Sequence, residues 1–551
     1  MARAAAAVRA RLAQALGLAV AAGLLHLVLV QPNHPAALTW AALGLFPLEL
    51  PALLAALVAL PAAARATRAF RGAVALALTL LAALKLADLA SHAAFARGVN
   101  PLVDWPLAVA GWRLASGAVG PALAAAGVLG LAAALMGLAA ALWWATGRWA
   151  AVRLPGRWPL AAGGAAMLAA AVAVAEAGQA LGRWRLPAEP PGAAFTARVA
   201  AETVIRTAAA RADLEAFAAA AAEDPYAGRE GLLDRIGRDV FVVFVESYGR
   251  SSLEHPLYAP THRATLTRAE ADLRARGLAM RSGWLRAPTA GGRSWLSHMT
   301  LATGLSVTDQ TRHSAAATSG RRTLWHIAGE AGFRTAAVMP AITLAWPEGP
   351  RMGFETVHDA AALGYDGPPF NWVTMPDQFT LARAETLFDD GGPWFAQIAL
   401  ISSHAPWVPV PELVPWPRAD EGAAYARWAN AGDPPEVVWR DPDRIRAQYR
   451  KAVDYSLRAA TGWAARRAGP EAPLMLILGD HPPAGFVARS DSRAVPAHLI
   501  GPPALVARAA RWGWTPGLLP GAEAPVAGME SFRDRFLAAY SSGAPARRAG
   551  R

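Results

Sequence analysis

Apolar and polar positions fall into two regimes along the chain. Up to about residue 181, five long apolar stretches stand out, at 12–30, 38–63, 72–94, 117–145 and 159–181. Each meets or approaches the roughly 20 residues needed to cross a hydrocarbon core, so the pattern predicts a bundle of five membrane spans. Residues 186–191 then carry three prolines, which break the helical pattern. Residues 194–222 are Ala-rich with scattered Arg and Glu, a composition that predicts a juxtamembrane helix. From residue 239 short apolar runs with β-branched residues appear at 240–245, 335–338, 395–401, 474–478 and 497–500. They alternate with helical windows at 265–276, 295–303, 323–331 and 444–467. Strands apolar on both faces predict an α/β domain with a mostly parallel sheet and helices on both sides. The expected division is a transmembrane domain over 1–185, a linker with its helix over 186–238 and a catalytic domain over 239–545.

Charge decides how the spans are oriented. Of the 551 residues 17% are charged, below the quarter usual for soluble domains, and the net charge is +12. Residues 1–185 hold 14 basic and 4 acidic side chains, a net of +10, which leaves only +2 for the rest. The basic excess therefore belongs to the apolar half, which argues for membrane topology and against a nucleic-acid partner. Arg3, Arg9 and Arg11 precede the first span; Arg65, Arg68 and Arg71 follow the second; Arg148, Arg153 and Arg157 follow the fourth. The intervening loops are nearly free of Lys and Arg, so the clusters alternate as the positive-inside rule requires. Four further spans argue against a cleaved signal at the first. The N-terminus is expected in the cytoplasm, with the catalytic domain extracytoplasmic, in a multi-pass inner (cell) membrane protein of bacterial type.

Within the spans, Lys85 and Asp88 are spaced to pair on one helix, and Glu176 adds a third buried charge. Trp143 and Trp144 are placed as interface anchors, and the Pro- and Trp-rich stretch 100–112 as an interfacial or re-entrant segment.

Candidate chemistry gathers behind the strands, where open α/β sheets bind ligands. Glu246-Ser247 follows the first run, Ser402-Ser403-His404 the third and Gly479-Asp480-His481-Pro482 the fourth. Two carboxylates and an imidazole, Glu246, Asp480 and His481, suit a divalent cation with mixed O and N ligation, such as Mn²⁺ or Zn²⁺. In Gly291-Gly292-Arg293-Ser294-Trp295 a glycine pair precedes a helical stretch. Ser294 at that helix start lies in the field of free backbone N–H groups, and an adjacent metal would activate its hydroxyl as a nucleophile. Thr289 and Ser297 are the rival hydroxyls. With no cysteine, the chain has neither a thiol nucleophile nor a disulfide frame.

These motifs resemble the alkaline phosphatase/sulfatase superfamily, and within it the membrane-anchored lipoteichoic acid synthase-like phosphoglycerol transferases. The resemblance rests on Glu246-Ser247, Gly292-Arg293-Ser294, Ser402-Ser403-His404-Ala405-Pro406, Gly479-Asp480-His481 and the late strand over 495–502, in that order. It implies that Glu246, Ser294, Asp480 and His481 bind one divalent metal ion, Mn²⁺ foremost with Mg²⁺ or Zn²⁺ as alternatives. It also implies that His404 assists at the phosphate or the leaving group. Such synthases hold phosphoglycerol with His-x-Asp and Trp-x-Arg; the matching positions here are Met339, Ala341, Trp346 and Glu348, so only the Trp is kept. Arg293, Trp346, Arg351 and Trp372 are the substrate candidates, with Asp377 nearby.

The expected activity is metal-dependent transfer of a lipid-derived, phosphoglycerol-like phospho-alcohol through phospho-Ser294. The partners are a membrane phospholipid donor and a glycan or envelope acceptor. The alternatives are a phosphoethanolamine transferase, though those catalytic domains are usually disulfide-rich, and a phosphodiesterase- or sulfatase-type hydrolase, though no Ser opens a formylglycine motif. A non-enzymatic membrane scaffold would have no need of the full ligand set.

Overall fold

The computed structural model describes residues 2–95, 98–102, 104, 108, 111–112, 115–116, 120–344, 346 and 348–543. Six residues of the stretch 100–112, the start of the expected fourth span and the last residues of the 239–545 domain lie outside them. The chain divides into two compact units, Met1–Asp213 and Leu214–Arg551.

The first unit contains α1 (Ala2–Val30), α2 (Glu49–Ala59), α3 (Arg65–Phe95), α4 (Pro121–Ala150) and α5 (Trp158–Ala180). Four of these, all but α2, are long and apolar enough to cross a membrane. Small residues let three helices approach closely: Ala21 and Leu25 of α1 meet Ala75, Leu78 and Ala82 of α3 and Leu142 and Ala145 of α4. Large side chains such as Leu16, Leu80, Leu129 and Leu168 face outward.

The expected second span, 38–63, takes a different form. Its first part folds as a 3₁₀ turn at Trp40–Gly44, and only 11 residues form the α2 helix. At 1.5 Å per residue that helix is about 16 Å long, too short to cross a hydrocarbon core by itself. Pro47, Pro51 and Pro61 punctuate the stretch, and proline is tolerated only near a helix start. The segment instead lies alongside α5, running against it. At one end Leu48 N–H donates to the Ala193 carbonyl (3.2 Å) and packs with Ala173 and Ala177 late in α5. At the other end Ala59 lies 3.8 Å from the Cβ position of Gly163, near the start of α5.

The buried charges differ from the expected pairing too. Lys85 Nζ donates to the carbonyls of Val28 and Leu29 and to Thr196 Oγ1 (2.8 Å), whereas Asp88 accepts from Asn33 Nδ2 and Val99 N–H. Each satisfies loose backbone ends instead of its neighbour, which suits a medium without water. Glu176 accepts from Ala194 N–H and pairs with Arg198. Trp143 is stacked by Arg71, whose Cζ lies 4.0 Å from the ring centre. The helix α6, Phe195–Ala222, follows the proline-rich break.

In the second unit nine strands form one sheet among the described residues. They are β1 (Val240–Val245), β2 (Ala279–Arg286), β3 (Arg334–Met339), β4 (Thr356–Asp359), β5 (Trp394–Leu400), β6 (Leu474–Gly479), β7 (Ala494–Gly501), β8 (Thr515–Pro516) and β9 (Val526–Gly528). The order is β4-β3-β5-β1-β6-β7-β2-β8, with β9 beside β2. The block from β4 to β6 is parallel, and β7 and β2 continue it antiparallel. Successive residues of β1 enter opposite cores. Phe241, Val243 and Val245 pack with Tyr449, Leu457 and Trp463 of one helix, while Val240, Val242 and Phe244 pack with Leu296 and Met299 of another. Those helices, Pro442–Arg466 and Ser294–Thr303, cover the two faces of the sheet. At about 1.5–3 kcal/mol per fully buried large apolar side chain, this double burial is what holds the domain's centre.

Candidate active site

Register brings the site together. Val245 pairs with Leu400 on one side and Gly479 on the other. Three neighbouring parallel strands therefore end at one level, and the residues that follow, Glu246, Ile401-Ser402 and Asp480-His481, emerge side by side. Glu246, Asp480 and His481 are buried, and one ligand atom from each lies within 4.8 Å of the others.

The Ser294 hydroxyl joins this cluster from the adjacent helix. Its Oγ donates to Glu246 Oε2 at 2.9 Å and lies 3.3 Å from His481 Nε2. Positive φ at Gly291 (70°), Gly292 (137°) and Arg293 (67°) turns the chain sharply before the helix begins at Ser294. Gly291 N–H donates to the Pro482 carbonyl (2.9 Å), which ties this turn to the Asp480-His481 loop. The rival hydroxyls are occupied or enclosed: Thr289 Oγ1 donates to the Gly292 carbonyl, and Ser297 is fully buried.

Backbone and side chain orient the cluster further. Asp480 Oδ1 accepts from Ser247 N–H (2.8 Å) and His481 N–H (2.6 Å), and Ser247 Oγ donates to Glu246 Oε1. Ser247 is held at φ 57°, a costly conformation outside glycine that is found at functional turns. His481 Nδ1 lies 2.8 Å from the Pro482 carbonyl, which only an N–H can satisfy. Nε2 is thereby the atom left to face Glu246 Oε1 (3.2 Å) and Asp480 Oδ2 (3.7 Å).

Electrostatics describe a group of anions short of positive charge. Burial and the neighbouring Glu246 push the Asp480 carboxyl up to about 8. Burial works against a charged His481, yet Asp480 and Glu246 outweigh it and hold the imidazole up at about 9. Burial likewise opposes ionised Glu246, but His481 keeps its carboxyl well below the usual range. A proton on Nε2 thus stands where a cation would be placed. Two carboxylates and an imidazole whose lone pair is aimed by an outer hydrogen bond form a donor set that fits a divalent cation.

The remaining expected residues are dispersed. His404 is exposed and its Nδ1 lies 2.6 Å from the Ala405 carbonyl, which leaves Nε2 for proton exchange; its charge acts on Glu246. Arg293 immediately precedes the nucleophile candidate. Trp346 borders a cavity beside the site, with Trp295, His298 and Gln397. Arg351 lines a separate cavity with Arg321 and His326, and Trp372 is 73% exposed. Asp377 is fully buried and accepts from Ile401 N–H (2.7 Å), Ser402 N–H (2.8 Å) and Ser456 Oγ (2.6 Å), and so props the turn that carries His404. His498, between Tyr248 and Ser282, is a packed residue of β7. Gln397 went unnoticed in the sequence because it sits inside an apolar run, where a single polar residue breaks the pattern without naming a role.

No protein-family model matches this chain, and no curated protein sequence matches it. Solved structures do. The lipoteichoic acid synthase LtaP from Listeria monocytogenes is 15% identical, with TM-score 0.38, over 57% of this chain and 75% of that one. The Streptococcus pyogenes phosphoglycerol transferase GacH is 10% identical, with TM-score 0.38, over 61% and 81%. The integral membrane lipooligosaccharide phosphoethanolamine transferase EptA from Neisseria meningitidis is 13% identical, with TM-score 0.46, over 96% and 97%.

Proposed function

We propose that the protein is a metal-dependent phosphotransferase of the alkaline phosphatase/sulfatase superfamily, anchored in the membrane by its apolar helices. The observation that carries this reading is Ser294 Oγ, at a helix N-terminus, within hydrogen-bond reach of both Glu246 and His481 Nε2. Glu246, Asp480, His481 and Ser294 would hold the divalent ion, Mn²⁺ first among the candidates. When bound, the ion supplies positive charge against the transferring phosphoryl group and favours the serine alkoxide.

Ser294 Oγ attacks the phosphorus of a phospholipid, and its proton leaves along the bond to Glu246 Oε2. The Oγ–P bond forms as the bond from phosphorus to the diacylglycerol oxygen breaks. His404 gives that oxygen a proton, and the helix N–H groups after Arg293 face the phosphoryl oxygens. A glycan or envelope hydroxyl then attacks phospho-Ser294 and gives its proton to His404. The new P–O bond forms, the Oγ–P bond breaks and Ser294 recovers its proton by the same route. The donor would be a lipid-derived phospho-alcohol, since nucleoside triphosphates are not normally available outside the cytoplasm.

Incubating the Mn²⁺-loaded full chain with a lipid extract and weighing the Ser294 peptide tests the reading. We expect a phospho-alcohol adduct and free diacylglycerol. Sulfate-ester turnover with no phosphoryl adduct would overturn it. Release of free phospho-alcohol without transfer to any glycan would favour the hydrolase of the same superfamily.

A further inference from the structure

The cavity beside Ser294 has a chemical character of its own. It is bordered by Trp295, which follows Ser294, by His298 one helical turn on, and by His313, Trp346, Glu348 and Gln397, and it measures about 230 Å³. His298 stacks on Phe244, two residues before Glu246, with ring centres 4.0 Å apart, which fixes the cavity against the end of β1. Among the described residues that border it there is no Lys or Arg.

Its unpaired polar groups include a carboxylate and a buried carbonyl oxygen, beside the N–H donors of Gln310 and His298. Gln397 is fully buried and its Oε1 has no partner. Gln397 Nε2 is spent on His298 Nδ1 and Met339 Sδ. The indole N–H of Trp295 is spent on Gln310 Oε1 (2.9 Å), leaving the ring for contact. Among the described residues no cation pairs with Glu348; its nearest charge effect is on buried His313, which burial holds toward the neutral form. Burial pushes His298 down to about 3, so it too adds no positive charge. A carboxylate, an orphaned buried carbonyl oxygen and two indoles, with no cation among the described residues that line the cavity, do not suit an anion. They do suit a positively charged alkylammonium, by charge, hydrogen bonding and cation–π contact together.

We propose that this cavity receives an ammonium-bearing head group, so that the group carried on Ser294 is an aminoalkyl phosphate rather than the expected phosphoglycerol. This rests on the phosphotransferase reading for its place in a reaction, but the cavity's preference can be measured without turnover. The unpaired Nε2–H of His298 is then available to an ester oxygen between the phosphorus and the ammonium.

The test uses the Mn²⁺-loaded full chain and two soluble probes, O-phosphoethanolamine and glycerol 3-phosphate, with affinities read by calorimetry. We expect phosphoethanolamine to bind at least tenfold more tightly, and Glu348→Gln to shrink that ratio at least fivefold, with Glu348→Asp recovering part of it. Equal affinities, tighter glycerol phosphate, or a ratio indifferent to Glu348→Gln would each refute the assignment. If Glu348→Gln unfolds, Gln397→Leu serves, with the same contraction expected. Lipid incubations run alongside report separately: absence of any phosphoryl adduct on Ser294 defeats the phosphotransferase reading, while the ratio of affinities still judges the cavity.

Discussion

At the scale of single residues, the site depends on who holds protons. Burial and Glu246 push Asp480 toward its protonated form, and the neighbouring carboxylates raise His481, so the cluster holds on to protons that the free groups would give up more readily. A cation must displace those protons, so binding is in competition with them. We expect Mn²⁺ affinity to rise with pH by up to about tenfold per unit for each proton displaced, and to level off above about pH 9. Calorimetry in buffers of different ionisation enthalpy should show protons released with the ion at pH 7; no release would mean the ion binds elsewhere. The nucleophile gives a sharper contrast. Ser294→Ala should lower turnover by several orders of magnitude while metal binding persists through the other three groups. Near-normal activity would move the reaction to another hydroxyl, although Thr289 is bonded to Gly292 and Ser297 is enclosed.

At the scale of elements, strand ends set the precision of the site. Gly479 closes β6 directly before Asp480, and a Cβ there would run into the Tyr248 carbonyl and crowd Val495. Gly479→Ala should therefore cost about 1–3 kcal/mol in a denaturant titration and weaken metal binding as the strand end shifts. Asp377 acts from further away. Asp377→Ala strands two backbone N–H groups, at Ile401 and Ser402, each costing about 1–3 kcal/mol when left unsatisfied. The turn bearing His404 should loosen, lowering kcat with little change in metal affinity; a matched loss of both would contradict the assigned role. Strands buried on both faces were plain in the sequence, since β1 and β6 are unbroken apolar runs. β2 was not, because Arg281, Ser282 and Gly283 interrupt it and its partners are the antiparallel β7 and short β8. The grouping of Glu246, Asp480 and His481 was legible for a related reason: these residues directly follow legible strands. The cavity was not, because Trp295, Glu348 and Gln397 come from three separate segments and meet only in the fold.

At the scale of the whole molecule, hydropathy found the long helices but could not see that the second apolar stretch would fold as turns and a short helix. It counts apolar residues and ignores what Pro47 and Pro61 do to a helix. Lys85 and Asp88 also fit a pairing rule for isolated helices, whereas in the bundle unsatisfied backbone groups claimed both. The number of crossings decides where the catalytic unit lies. Because α2 runs from the Ala193 end of α5 to its Gly163 end, it travels against α5, the direction a fifth crossing would need, although the helix alone is too short to span. Reporter fusions after Arg71 and Arg153 should then read as cytoplasmic, and a fusion at Pro191 as external. An external reading at Arg71 would remove that crossing.

One division of labour has a consequence for how such a chain changes over time. The turns that carry Ser294 and Asp480-His481 are laced together by the Gly291–Pro482 hydrogen bond, and Asp480 is tied to Ser247 in turn. Trp346 and Glu348 lie on the connection after β3, outside that lacing. If the cavity selects the cargo, part of its wall can vary in this connecting segment without disturbing those bonds, while Trp295 and His298 tie the opposite wall to the Ser294 helix.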